Sequence, residues 1–296
     1  MKEIRAPFLI LPVVLTIYGT SIAFFETGGH INWVNTILGG IGLISLHISV
    51  NVFNEYYDFK TGIDMLAPKT PFSGGSGVLP AGELKSNQVL FAAILSLLIG
   101  IGIGIFLYTR TGWPLLVMGV AGVLIIVLYT SFFAKIMMGE LTAGAGLGSL
   151  PVLGIYYINA CEKLNGIISM DAVIASVPAG LLVFNLLFLN EFPDMEADKK
   201  GGRHHIVIVF GKKISGWIYT VFAMGIYAWT IVWVWRGKMP VLALLVFLTF
   251  PISLRACIGA LRDYNKFEKL LPAQGMNVMV TMLAQIFLAV GYFINT

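Results

Sequence analysis

Stretches of about twenty consecutive apolar residues recur from one end of this chain to the other, and they decide what it can become. Nine can be read, at 7–25, 32–53, 88–108, 113–133, 142–161, 171–190, 216–235, 239–261 and 273–295. Each is long enough to cross the hydrocarbon core as a helix, and none shows the short alternating pattern of a membrane β-barrel. An all-α integral membrane protein with nine transmembrane helices is therefore expected. Only 11% of the 296 residues are charged, against roughly a quarter in soluble domains, so no separate soluble domain is expected.

Lysine and arginine placement sets the orientation. With a cytoplasmic N-terminus and alternating spans, only Arg110, Lys163, Arg236 and Lys238 of the 19 Lys and Arg residues fall outside. Lys2, Arg5 and Lys60 are among those on the inner side, and the C-terminus is placed outside. This bias explains the basic pI of 9.0 without a nucleic-acid partner. The first apolar stretch is long for a signal peptide and lacks an A-x-A-like exit, so it is read as a span. Cys161 and Cys257 fall at different depths of different spans, and no disulfide is expected.

Acidic residues gather at two places, "NEYYDFKTGID" (54–64) and "NEFPDMEADKKGGR" (190–203), each at the inner end of a span. The equivalent spans are the second and the sixth. A single domain over 1–296 is expected, built as a four-helix half of about 1–135, a second of about 136–296, and a ninth helix within the latter. At about 100° per residue, His47, Asn51, Asn54 and Asp58 share an arc of about 60°. Asn190, Asp194 and Asp198 share one of about 80°. Glu196 points to the far side, and Glu191 lies slightly off the stripe. Gly62 is expected to end the first helix in a left-handed cap, with Asp64 folding back from the loop beyond it. Pro193 is expected to kink or break its helix.

Acids near a bilayer face a cavity or a partner. Asp58, Asp64, Asp194 and Asp198 converging would repel one another unless protonated or bridged by cations. Oxygen donors with asparagine among the carboxylates suit Mg²⁺, which binds through a few carboxylates together with substrate phosphates. A diphosphate ligand is the expectation, with Lys69, Lys135, Lys199 and Arg203 as cations for its outer oxygens. The Phe, Leu and Ile of the span walls suit a long hydrocarbon tail.

These motifs resemble the paired aspartate-rich motifs of the UbiA superfamily of intramembrane prenyltransferases. "RAP" (5–7), "YTSFFAKIMMGE" (129–140), "GSLPVLGIYYI" (148–158) and "PFSGGSGVLPAGEL" (71–84) resemble further family segments, the last two those of the menaquinone-forming branch. The resemblance implies nine helices around a central cavity open to lipid, with Mg²⁺, two ions, bridging a polyprenyl diphosphate. It carries Asn54, Asp58 and Asp64, with Asn190, Asp194 and Asp198, over as metal ligands. Asp58, Asp194, Tyr129 and Lys135 are then catalytic, and Asn51, Asn54, Lys69, Lys199, Arg203 and Tyr57 substrate-binding. Glu55 stands where the family has aspartate, and position 62 is glycine with Asp64 two residues later.

The implied reaction is ionisation of an allylic diphosphate to a carbocation, held by apolar walls and by Tyr129, Tyr56 or Tyr57. The cation then alkylates a lipophilic aromatic acceptor, 1,4-dihydroxy-2-naphthoate in menaquinone synthesis. Geranylgeranylglyceryl phosphate, 4-hydroxybenzoate and homogentisate are the alternative acceptors, and no obligate protein partner is expected. No residue stands out as the base for proton loss; His47 reads as structural, and His204 and His205 as loop residues. A cation-coupled transporter is the alternative class, disfavoured because both acid clusters lie at one edge and not mid-span.

Overall fold

The structure, a computed structural model, describes residues 6–70 and 75–295. Lys2 and Arg5, and residues 71–74 of the glycine-rich segment, lie outside them. Every regular element among the described residues is helical: α1 (Ile10–Glu26), α2 (Trp33–Thr61), α3 (Ile63–Leu66), α4 (Ser86–Thr111), α5 (Trp113–Leu128), α6 (Gly139–Gly144), α7 (Leu150–Ala160), α8 (Met170–Lys200), α9 (Ile206–Trp235), α10 (Phe250–Arg262) and α11 (Phe267–Ile294). A π-helical stretch, Ala145–Ser149, joins α6 to α7, and a 3₁₀ stretch, Val241–Thr249, leads into α10.

The apolar helices differ in length. Among the described residues, seven helical segments are long and apolar enough to cross a membrane, counting Gly139–Ala160 and Val241–Arg262 as continuous. The other two apolar helices are shorter, α1 with 17 residues and α5 with 16. Chain that reads as apolar span at the end of α5 is instead spent on a turn that closes over the acid motifs. The outer surface carries Phe91, Leu98, Val117, Trp217 and Val221, exposed large apolar side chains suited to lipid and not to water. The chain is a multi-pass membrane protein.

Local signals place the helix ends. Asn32 caps α2 by accepting from Asn35 N at 3.0 Å, and Ser169 caps α8 by accepting from Ala172 N at 2.9 Å. Gly62 closes α2 at φ 79°, the left-handed cap that an L side chain disfavours. Pro193 does not break its helix: α8 runs through both Pro178 and Pro193 to Lys200. A proline removes one helical hydrogen bond and crowds the turn before it; here packing outweighs that penalty. Phe192, in the turn before Pro193, is fully buried beside Phe188.

Helices approach closely where small residues allow it, as expected where lipid supplies no hydrophobic drive between them. A Cβ at Gly148 would lie 2.6 Å from Ala179 O, so the π stretch rests directly on the α8 backbone. α1 packs on α7 and α11, and α2 along α4. Tyr18, fully buried in α1, donates to Ala175 O of α8 at 2.6 Å. At the end opposite the acid motifs, Glu26 accepts from Tyr156 at 2.6 Å and Ser169 at 2.7 Å. This frame leaves the ends of α2 and α8 facing each other.

Candidate active site

Because α2 and α8 stay helical past the apolar stretch, each carries its polar stripe intact to the chain's acid end. A cavity of about 180 Å³ lies between them. Asn51, Asn54 and Asp58 of α2, Asp64 of α3, and Asn190, Asp194 and Asp198 of α8 all line it, with Tyr129, Glu191 and Arg203. Asp64 returns as the left-handed cap at Gly62 turns the chain back, and it is buried. Gly75 lies over it at φ 70°; a Cβ there would come within 2.5 Å of Asp64 Oδ1. Only glycine accepts both the backbone angle and that approach.

Arg203 joins the two motifs. Its Nη2 donates to Asn54 Oδ1 at 3.0 Å and makes a short contact with Asp58 Oδ1, while Nη1 donates to Asp198 Oδ1 at 3.0 Å. Asn54 also donates to Asp58 Oδ2 at 3.0 Å and accepts from Thr130 at 3.2 Å. Burial alone would lower the Arg203 pKa; the charges of Asp58 and Asp198 outweigh it and hold the guanidinium above its usual range. One fixed positive charge thus stands among acids that would otherwise repel.

The remaining residues singled out in the sequence lie elsewhere. Lys69, Lys135 and Lys199 are exposed and Tyr57 is half-buried; none of the four lines the cavity. Tyr56 and Tyr57 meet edge to face at 5.5 Å, with Lys60 over the Tyr56 ring. Glu55 is buried but turned away, holding Ser76 through its Oγ and, at 3.4 Å, its N–H. It anchors the loop that carries Gly75.

Two residues that the sequence left without a role sit behind the acid wall. His205 is 2% exposed and not a loop residue in the open; its Nε2 is 3.1 Å from Asp198 Oδ2. Glu140 is fully buried and accepts from Ile206 N at 2.7 Å, capping α9 from a distance. The preceding His204 accepts from Met137 N and donates to Ala134 O, both at 2.8 Å, clasping the turn before α6 to the turn after α8. A histidine pair ahead of an apolar helix was the available signal, but its partners lie on α6 and α8.

A second cavity, about 410 Å³, lies among α2, α4, α5 and α7 and is almost wholly apolar, walled by Leu46, Ile101, Val123 and Ile155. His47 and Leu147 border both cavities. A polar chamber rich in hard oxygen donors therefore adjoins an oily one. Eight such side chains, five carboxylates and three carboxamides, line the polar chamber, and hard oxygen donors of this kind suit Mg²⁺.

Known proteins share the sequence pattern and the fold. The chain is 30% identical over 254 residues to the 1,4-dihydroxy-2-naphthoate octaprenyltransferase of Bacillus subtilis, covering 84% of this chain and 79% of that one. Its fold matches the apo structure of a UbiA homolog from Aeropyrum pernix with a TM-score of 0.73 at 16% identity, covering 97% and 98% of the two chains. A UbiA homolog from Archaeoglobus fulgidus bound to DMAPP and Mg²⁺ matches with a TM-score of 0.56 at 14% identity, covering 98% of this chain and 100% of that one. The profile of the UbiA prenyltransferase family matches residues 13–292. That match runs from within α1 to the end of α11, and the chain belongs to the UbiA prenyltransferase family.

Proposed function

We propose that this prenyltransferase moves a polyprenyl group from an allylic polyprenyl diphosphate to 1,4-dihydroxy-2-naphthoate, releasing diphosphate and, from the acceptor's carboxylate, CO₂, in a step of menaquinone synthesis. The observation that carries the reading is the junction at His47 and Leu147, where the acid-lined chamber meets the apolar one. An amphiphile with a charged head and a long hydrocarbon tail fits that pair of surroundings. The acceptor rests on the likeness to the Bacillus subtilis enzyme. In this reading α1 and α5 also cross the bilayer, giving nine crossings around the chambers, with the N-terminus and the acid motifs on the cytoplasmic side.

Asn54, Asp58, Asp64, Asn190, Asp194 and Asp198 would hold Mg²⁺, two ions in this proposal. When bound, the metal supplies Lewis-acid neutralisation of the departing diphosphate. The protein's own part is positional and electrostatic. α2 and α8 fix the carboxylates on opposing walls, and Arg203 keeps a positive charge between them. Asn51 lines the head chamber, where its carboxamide can donate to the diphosphate. Tyr129 offers an aromatic face to the positive carbon. The apolar chamber holds the tail and keeps water from the cation. Lys69, Lys135 and Lys199, with Tyr57, act outside the chamber as the diphosphate approaches and leaves. The test is a mass-resolved assay of purified protein with geranylgeranyl diphosphate, Mg²⁺ and a panel of acceptors. Prenylated, decarboxylated naphthoate is expected; product from geranylgeranylglyceryl phosphate alone would refute the acceptor assignment.

A further inference from the structure

Beside Asp198 Oδ2, the oxygen that Arg203 does not hold, three buried polar side chains converge. Glu140, Glu191 and His205 are 0%, 7% and 2% exposed, and each offers one ligand atom within 4.8 Å of the others. With both carboxyls ionised, Glu140 Oε2, Glu191 Oε2 and His205 Nδ1 have no hydrogen-bond partner, and either a cation or a proton shared between Glu140 and Glu191 would satisfy the pair. Buried polar atoms are nearly always satisfied, and three orphans facing one another call for an occupant. The remaining atoms of two of these groups are already committed. Glu140 Oε1 accepts from Ile206 N at 2.7 Å, and His205 Nε2 stands 3.1 Å from Asp198 Oδ2. A carboxylate can only accept, so the Asp198 contact suits a His205 tautomer with its proton on Nε2, which as a neutral ring would leave the Nδ1 lone pair toward the cluster.

His205 Nδ1 and Glu191 Oε2 are 3.7 Å apart. That gap is too wide for one proton to bridge as a hydrogen bond. It suits two ligands of one metal ion, since bonds of about 2.0–2.1 Å at a tetrahedral centre put donors roughly 3.4 Å apart. The Asp198–His205 contact is the carboxylate–histidine arrangement that orients a metal-bound imidazole. We propose that Glu140, Glu191 and His205 bind a divalent transition ion of the zinc type, beside the Mg²⁺ of the diphosphate chamber, whose wall Glu191 shares. An imidazole nitrogen among the donors favours zinc over magnesium. The ion ties α6, α8 and the start of α9 together and steadies Asp198 through His205.

Elemental analysis of the full-length protein in detergent tests this. After dialysis against Mg²⁺ and brief EDTA treatment, about one zinc per chain is expected, whether zinc was retained or added back at micromolar concentration. Co²⁺ exchanged into the protein should give a visible absorption band. Glu140→Gln keeps an acceptor for Ile206 N but removes a ligand, and zinc affinity should fall at least about 10-fold. Should that variant elute as aggregate, His205→Asn provides the same reading. Asp58→Asn, in the other chamber, should leave zinc stoichiometry unchanged. Protein that neither keeps nor takes up zinc or cobalt would overturn the proposal, pointing instead to a proton shared between Glu140 and Glu191. Stoichiometry lost in Asp58→Asn but kept in Glu140→Gln would overturn it too, by placing the zinc in the diphosphate chamber.

Discussion

Asp58 and Asp198, on different helices, are held by the two arms of one guanidinium, that of Arg203. The side chain is only 15% exposed, so its charge acts in a poorly screened setting. Removing one member of a buried ionic group leaves the others uncompensated, at about 3–5 kcal/mol. Arg203→Gln should therefore lower the thermal unfolding midpoint markedly, and Arg203→Lys should recover only part, lacking the planar fork. The raised pKa of Arg203 places its stabilisation below the unfolded value, to be lost only in strong alkali. The difference between wild type and Arg203→Gln should thus carry no arginine titration between about pH 6 and 9; a step there would contradict the assignment.

Asp58→Asn and Asp194→Asn keep size but halve the ligand character of each acid. Turnover should fall by at least about two orders of magnitude, with donor binding weakened less. Single-turnover kinetics separates the two effects, and retention of more than about a tenth of the rate would remove these residues from the metal set.

Chelation should abolish product formation, and Mg²⁺ alone should restore it. Calcium should substitute poorly, since it prefers larger and more flexible oxygen cages. Full activity in excess EDTA would dismiss the ligand role of the six oxygen donors.

Chain length should respond to the apolar chamber. Gly104 and Gly119 line it, and a Cβ at either meets nothing within 4 Å. Gly104→Leu or Gly119→Leu should fill the chamber without moving the backbone. Competition between short and long prenyl diphosphates, read by product mass, should shift toward the short donor by about 10-fold. An unchanged product distribution would place the tail elsewhere.

Gly148→Ala is the structural counterpart. Its Cβ would press on Ala179 O, and overpacking costs about 1–3 kcal/mol. Reduced thermal stability with normal Mg²⁺ dependence is expected; an unaltered melting profile would mean that the π stretch can shift off α8.

The stripes on α2 and α8 were legible because they follow helical spacing, a local property. The left-handed stop at Gly62 and the return of Asp64 were legible for the same reason. Pro193 does not break α8, since local propensity says nothing of the burial of Phe192 and Phe188 that holds the helix together. Glu140 was visible within "YTSFFAKIMMGE" yet carried no periodic signal, and its partners come from α8 and the start of α9. Glu55 stands where the family has aspartate, but its position on the helix turns it toward Ser76. Where a residue's role depends on which distant helix it meets, spacing along one helix could not supply it.

His204 has a quieter consequence. By exchanging hydrogen bonds with Ala134 and Met137, it makes two connections from different parts of the chain a single piece of backbone. Met137 holds φ 62° at that junction, an angle few non-glycine residues adopt. A residue inserted in either turn would draw the shared bonds out of register unless the other moved with it. The segments 129–138 and 201–205 are thus interchangeable between related proteins only as a matched pair.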